Sequence, residues 1–490
     1  MIYVDKSRNM PLYRQLYVNI TGEILSGAMP AGYRLPATRK LAAELSIGRN
    51  TVEKAYQQLE AEGYIIARAG SGFTVAEIPL DFSTSCKVPP EDHMTASGSP
   101  VSVNVESEGA VKNEKDGIRY DFVYGSMATA VFPYTQWRRC MNDVLTRMEL
   151  EPALHYPPRM GQPELQQAVA AYLRRSRNVS CRPEDILITP GQQHSMEILA
   201  NLVSDGRRAF AMEEPGYDGI RRVFEVNGFD IVPVKVGEDG IIMDELENVS
   251  ADFLYLTPSH QFPTGSVTPV GRRRQLINWA GETGTYIIED DYDSELRYYT
   301  SPIPAMQSLD AGGSTIYTGT FSKSLAPVMR TAYMILPEKL REKYRQRYGR
   351  YNSMVSTFHQ LTLARFISEG YYEQHINRLR TIYRRKHAAL LKAMDDVFGE
   401  RIRVLGEGAG IHLMIDVDSP LPQNELAARA AKIGIRLYTT EILYVDRAGC
   451  PQHRLMLGFP IVPTDAFEDI MRDLRNVWEM ERDIKYPETA

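Results

Sequence analysis

At 490 residues, with 43% hydrophobic and 24% charged residues, the chain exceeds what one hydrophobic core usually serves and has the composition of a soluble globular protein of two or more domains. A formal net charge of −6 excludes a chain that is basic throughout. No apolar run approaches the roughly 18 residues of a membrane span, and the opening MIYVDKSRNMPLYRQLY lacks the basic-then-apolar order of a secretory signal, so the expected location is cytoplasmic.

In chain order, residues 11–25 repeat apolar residues at helical spacing (Leu12, Leu16, Ile20, Ile24) after a Pro suited to a first turn. The Gly/Pro-rich SGAMPAGYRLP follows. ATRKLAAEL predicts a short second helix, and SIGRNTVEKAYQQLEAEG a third, ended by Gly63. YIIARAGSGFTV then supplies two β-prone runs around a Gly/Ser turn, so residues 1–76 read as a winged helix-turn-helix. This part holds nine Lys/Arg against six Asp/Glu, a local charge of +3, compatible with nucleic-acid contact.

Residues 77–118 are poor in aromatics and lack periodicity, which predicts a flexible linker with an extended reach on the order of 100 Å. From 119 to 490, short β-rich runs (DILIT, RAFAMEE, DIVPVKV, DFLYLTP, TYIIEDDY, TIYTGTF, TAYMILP) alternate with helical stretches such as 192–204, 216–228 and 271–283. That alternation predicts an α/β domain with a mostly parallel sheet and its ligand at the carboxyl ends of the strands. IRVLGEGAGIHLMIDV, HRLMLGFP and a closing helix near 463–480 suggest a small C-terminal α+β subdomain. The four cysteines, Cys86, Cys140, Cys181 and Cys450, show no CxxC or Cys/His spacing, so neither a disulfide framework nor a metal site is expected.

In a helix-turn-helix the first residues of the recognition helix meet base edges, and neighbouring basic and hydroxyl groups hold phosphates. Arg49, Asn50 and Thr51 occupy those positions, and Arg39 on the preceding helix is placed for phosphate or base contact. Taken singly, each is equally a solvated polar residue on a small helical domain. The ordered string from PLYRQLY to GSGFTV resembles, over its whole length, the DNA-binding domain of the GntR family of bacterial regulators. By that resemblance Arg39, Arg49 and the wing at Gly70, Ser71 and Gly72 carry contact with double-stranded operator DNA, with Thr51 a phosphate ligand. Gly48 stands where a Ser more often caps the recognition helix.

A lysine forms an imine with an aldehyde only when its amine is at times unprotonated, which burial can arrange. Lys323 follows the apolar run TIYTGTF, and Thr320, Ser322 and Arg330 around it supply hydroxyls and a guanidinium suited to phosphate. On its own, a lysine after a strand is a solvated loop residue. Upstream, YIIEDDYDSE ends a strand in Asp290, Asp291 and Tyr292. A carboxylate there can hold a pyridinium nitrogen in its protonated form and a tyrosine can tune a ring oxygen, although an acidic cluster after a strand also reads as a capping or metal-binding turn. ITPGQQHSMEIL places Gly191, Gln192 and Gln193 at a helix start able to receive an anion, and EEPGYDG puts Tyr217 on a turn where it could stack on a ring or lie in the core.

Together HYPPRMGQPELQQAVAAYL, ITPGQQ, EEPGY, TPSHQFPTG, IIEDDYDSE and GTFSKSLAPVMR resemble, in order, the fold type I aminotransferase-like domain of enzymes that use pyridoxal 5'-phosphate, over about residues 119–480. The resemblance implies that Lys323 is the Schiff-base lysine, Asp290 the pyridinium partner and Tyr217 the stacking ring. It further implies that Thr320, Ser322, Arg330 and the Gln192–Gln193 region hold phosphate, and that Tyr156 reaches the neighbouring subunit's cofactor. The fused order is similar to the MocR/GabR subfamily of transcriptional regulators, which implies a cytoplasmic, head-to-tail homodimer sensing an amine, an amino acid or pyridoxal phosphate itself. An active aminotransferase with an accessory DNA-binding domain is the alternative. Three positions bear on ligand choice. Phe262 stands where such enzymes carry Asn before Pro-Thr-Gly, leaving His260 or Gln261 as the nearest polar substitutes. Gly219 stands where some members of the subfamily carry an arginine. Arg454 in HRLMLGF could bind an effector's carboxylate, as the resemblance to aminotransferases with a late arginine implies, or be a surface arginine.

Overall fold

The computed structural model describes residues 4, 11–45, 47–68, 72–77, 117–147, 155–203, 207–298 and 304–479. Three helices, α1 (Leu12–Leu25), α2 (Thr38–Glu44) and α3 (Arg49–Ala61), precede an antiparallel hairpin of β1 (Ile65–Arg68) and β2 (Gly72–Val75). Helical spacing puts Leu16, Ile20 and Ile24 on one buried face, where they meet Val52, Tyr56 and Leu59 of α3 and Ile65 and Val75 of the hairpin. Pro11 stands just outside α1 as its N-cap rather than in the first turn. The chain leaves α3 through Gly63 at φ +75°, a conformation that disfavours a Cβ.

The segment expected to be a linker lies, from 78 to 116, outside the described residues. Next come β3 (Tyr120–Asp121), α4 (Tyr134–Arg147), α5 (Pro163–Arg177), β4 (Ile186–Thr189), α6 (Gln192–Leu202), β5 (Ala209–Glu214), α7 (Asp218–Val226), β6 (Asp230–Gly237) and β7 (Gly240–Ile241). They are followed by β8 (Phe253–Leu256), α8 (Val270–Thr283), β9 (Tyr286–Asp291), β10 (Thr315–Thr320) and β11 (Ala332–Ile335). Among the described residues these strands form an eight-stranded sheet in the order β4-β11-β10-β9-β8-β5-β6-β7. The central strands β10, β9, β8, β5 and β6 run parallel, whereas β11 is antiparallel to both of its neighbours and β7 to β6. Helices cover both faces, which is why β4 and β8 are buried at every position and read in the sequence as continuous apolar runs.

Three helices that the sequence reading left unassigned come next: α9 (Glu338–Tyr348), α10 (Thr357–Ser368) and the 28-residue α11 (Tyr371–Phe398). The C-terminal part comprises β12 (Ile402–Leu405), β13 (His412–Val417), α12 (Gln423–Lys432), β14 (Ile435–Arg436), β15 (Tyr438–Thr439), β16 (Arg454–Gly458) and α13 (Phe467–Glu479). Its sheet has the antiparallel order β12-β13-β16-β15, and β14 pairs in parallel with β3. No described helix is long and apolar enough to cross a membrane.

Candidate functional site

The parallel strands bring their carboxyl ends to one edge of the sheet, and a cavity of about 190 Å³ opens there. β9 delivers Asp290, and the chain just beyond it Tyr292. β10 delivers Thr320 and then Ser322 and Lys323, while the turn after β4 brings Gln192 and Gln193, and Tyr217 arrives ahead of α7. With Arg330, these nine predicted residues line a single cavity.

Lys323 leaves the strand end toward the cavity, with its Nζ 4.1 Å from the centroid of the Tyr124 ring. Burial lowers its amine to about 8, against the opposing pull of Asp293 and Asp290. The loop carrying it is pinned at the next residue, where Tyr372 of α11 donates to Ser324 Oγ at 2.9 Å and the His375 ring lies 2.8 Å from the Ser324 carbonyl. A Cβ at Gly125 would fall 2.1 Å from the Lys323 Nζ, so a residue without a side chain is what leaves room for the amine.

Asp290 is held from three sides. Tyr255 donates to Oδ2 at 2.5 Å and Gln192 Nε2 to Oδ1 at 2.9 Å, while the register between β9 and β10 sets Thr318 directly beside it. Burial, partly countered by these donors, raises its carboxyl to about 7. An anion-receptive corner lines the same cavity. α6 starts at Gly191 (φ +118°) without a side-chain cap, so its first N–H groups stay available. The Arg330 guanidinium lies over that turn, where a Cβ on Gly191 would come within 2.5 Å of its Nη2. Thr320 donates to Ser322 Oγ at 3.1 Å, bringing two hydroxyls to the same corner. The buried Gln192 Oε1 has no hydrogen-bond partner among the described residues. An amine of lowered pKa, a buried carboxylate and a cationic, N–H-lined corner together fit a ligand that has an aldehyde, a basic ring nitrogen and a phosphate.

Other predicted residues, and the Tyr292 hydroxyl, are engaged elsewhere. Tyr292 lines the cavity, but its hydroxyl lies 2.9 Å from both the Nδ1 and the backbone O of His260, and His260 Nδ1 is 2.9 Å from Asp293. Gln261 is engaged with the backbone, donating to the Phe262 carbonyl in its own loop and to the Pro215 carbonyl after β5. Neither His260 nor Gln261 is among the cavity-lining residues, whereas Phe262 is. Asp291 pairs with Arg177 at 2.6 Å, both side chains 3% exposed, and among the described residues no cluster is placed to hold a metal ion. Arg454 gives Nε and Nη2 to Asp416 at 2.6 and 2.7 Å across the β13–β16 pair and does not line the cavity. Tyr156 is 84% exposed, on a separate wide groove with Tyr344 and Tyr348. Sequence reasoning missed Tyr124, Tyr255 and Thr257. Tyr255 and Thr257 stand two apart at the end of a strand, and that spacing was the available signal; Tyr124 carries none locally.

On the reader, Arg39, Arg49 and Asn50 are exposed and Thr51 is partly so. Arg49 opens α3 and pairs with Glu53 one turn on at 2.6 Å. Gly72 begins β2 at φ +82°; Gly70 and Ser71 lie outside the described residues.

A winged helix-turn-helix ahead of a fold type I aminotransferase fold defines a class of DNA-binding regulators with an aminotransferase-like domain. The family profile described as "Aminotransferase class I and II" matches residues 127–459, and "Bacterial regulatory proteins, gntR family" matches residues 12–75. The chain is 36% identical to the HTH-type transcriptional regulator YdeL of Bacillus subtilis (strain 168), over 98% of this chain and 99% of the relative. It is 31% identical to the probable rhizopine catabolism regulatory protein MocR of Rhizobium meliloti, over 98% and 96%. The crystal structure of LysN, the alpha-aminoadipate aminotransferase of Thermus thermophilus complexed with N-(5'-phosphopyridoxyl)-L-leucine, is similar at a TM-score of 0.66 and 27% identity, over 74% of this chain and 92% of that one. This chain belongs to the MocR-type transcriptional regulators of the GntR family.

Proposed function

We propose that this regulator holds pyridoxal 5'-phosphate as a Schiff base on Lys323 and uses that site to sense an amine, an amino acid or the cofactor itself. The observation that carries this reading is Lys323: a buried amine lowered to about 8, sharing one cavity with a buried carboxylate and an anion-receptive corner. When bound, the cofactor supplies an aldehyde carbon that condenses reversibly with primary amines. Asp290, oriented by Tyr255 and Gln192, accepts from the protonated ring nitrogen. The first turn of α6 at Gln192 and Gln193, with Thr320, Ser322 and Arg330, binds the phosphate. Tyr217 stacks on the ring and the Tyr292 hydroxyl approaches its oxygen. Tyr156, exposed here, reaches the partner's cavity in a head-to-tail homodimer.

On the reader, Arg39, Arg49, Asn50, Thr51 and the wing at Gly70, Ser71 and Gly72 meet operator DNA in the cytoplasm. Sensing is favoured over rapid transamination because a transaminase needs a cation for its substrate's carboxylate. Among the described residues lining the cavity the cations are Lys323 and Arg330, and Arg330 serves the phosphate corner. Arg454 is engaged with Asp416.

Absorbance tests the cofactor claim: reconstituted protein should show the visible Schiff-base band and Lys323→Ala should lack it, while a colourless wild type would overturn the reading. Steady-state assays with amino donors and 2-oxo acids should show turnover far below the roughly 10 s⁻¹ of a typical enzyme. Turnover at that level would install the enzyme alternative. Arg49→Ala should weaken specific DNA binding by about 1–3 kcal/mol.

A further inference from the structure

The reader and the aminotransferase-like part meet at one corner. The Val270 N–H, at the start of α8, donates to the Glu62 carbonyl at 2.9 Å, and the Val270 side chain is buried within the reader's own core. A Cβ on Gly63 would fall 2.7 Å from Pro269 Cβ, so the approach requires glycine on steric grounds as well as for its positive φ. A second contact is made by Arg14 of α1, whose guanidinium donates to the Arg175 carbonyl in the last turn of α5.

Glu62 itself is 3% exposed and takes hydrogen bonds from Tyr17 at 2.6 Å and Gln58 at 3.0 Å, both within the reader. Burial pushes its carboxyl up to about 7, and the two charges that pull it down from the other side are Arg273 and Arg297. Both arginines are buried, and each holds one carbonyl of the loop 257–263. Arg273 donates to the carbonyls of Thr268 at 2.8 Å, Pro304 at 2.7 Å and Pro258 at 2.9 Å, and Arg297 donates to the Ser259 carbonyl at 2.9 Å. The same loop faces the cofactor cavity: Thr257 and Phe262 line it, and the Tyr292 hydroxyl donates to the His260 carbonyl.

We propose that the Pro269–Val270 step together with Arg273 and Arg297 is the docking surface for the reader's Glu62–Gly63 corner, and that loop 257–263 ties that surface to the cofactor cavity. The inference rests on the cofactor and DNA-binding readings above and adds the contact through which one affects the other. Filling the cavity loads Thr257 and Phe262, and the Pro258 and Ser259 carbonyls between them are among the atoms that hold the Arg273 and Arg297 guanidinium groups, whose charges act on Glu62. Docking and cofactor binding therefore share a free energy, and the coupling is reciprocal.

The test uses the full-length protein, pyridoxal 5'-phosphate, and a duplex selected by the wild type from a random-sequence pool. In the wild type, cofactor loading should change affinity for the duplex by a factor in the range of about 5–150, and the duplex should change cofactor affinity by the same factor. Glu62→Gln and Arg297→Met should each keep the absorbance band and still bind the duplex, with the coupling factor collapsed to within about twofold of unity. Wild-type coupling retained in both variants would overturn the proposal, as would a wild type that binds both ligands with no coupling. Hydrogen exchange in the wild type checks the contact without any variant. Protection of the Val270 amide should change on cofactor loading, and unchanged protection contradicts the proposal. A wild type that shows no band or selects no duplex would instead remove the readings beneath it.

Discussion

Tyr255 of β8 donates its hydroxyl to Asp290 of the neighbouring parallel strand β9 at 2.5 Å, at the carboxyl ends of both. With Gln192 on the other oxygen, the pair fixes the orientation of the Asp290 carboxylate. Asp290→Asn should weaken cofactor binding by about 10–100-fold, the worth of a hydrogen bond to a charged group. Tyr255→Phe should cost less, since Gln192 still holds the other oxygen. Titration by absorbance ranks the two, and equal losses would contradict the assignment.

The Lys323 amine is held by burial at about 8, below its ordinary 10.5, while Asp293 and Asp290 pull it up. Capture of an aldehyde uses the unprotonated amine, so the capture rate of the cofactor-free protein should rise with pH through about 8 and then level. In Asp290→Asn the midpoint should move to lower pH, because an upward pull is gone. The stability sign follows from proton counts: between about 8 and 10.5 the unfolded chain binds more protons at this lysine than the folded one. This group's contribution therefore makes the cofactor-free protein more stable as pH rises through that window. Stopped-flow absorbance and denaturant melts of the wild type and Lys323→Met check both.

A Cβ at Gly219 would fall 2.8 Å from the Tyr217 ring. Gly219→Ala should therefore displace the ring proposed to stack on the cofactor, lowering cofactor affinity and shifting the band. Gly219→Arg, which introduces a far larger side chain, should do so more strongly. Unchanged spectra and affinity in both would remove Tyr217 from the ring's face.

Arg177 and Asp291 form an ion pair with both side chains almost fully buried, and Asp291 also accepts from Tyr317. Removing one partner leaves a buried charge unmatched, so Arg177→Ala should destabilise the protein by about 3–5 kcal/mol. Adding Asp291→Asn should recover part of that loss, because the stranded charge is then gone. Denaturant titration of the single and double variants measures the coupling.

Much of this was legible along the chain. All seven predicted β-runs of the large sheet are strands, and β4, β8 and β11 are plainest because strands covered on both faces need unbroken apolar stretches. The reader was equally plain, with α1, α2 and α3 falling where periodicity and glycine placed them. The helices between 338 and 398 were not read out: α9, EKLREKYRQRY, is so charged that its one buried stripe, Leu340 and Tyr344, hardly stands out.

Local chemistry thus specified which residue types surround Lys323, since the motifs that carry them are contiguous and each sits at a strand end. What the motifs could not specify is pairing at long range: Arg177 with Asp291, Arg454 with Asp416, and the reader's Glu62 carbonyl with the Val270 N–H. Such contacts join residues that are from 38 to more than 200 positions apart, and no local period records them. Only the folded sheet, by fixing register and burial, decides that Arg454 is bound by a carboxylate and that Val270, at the start of α8, is buried in the reader's core.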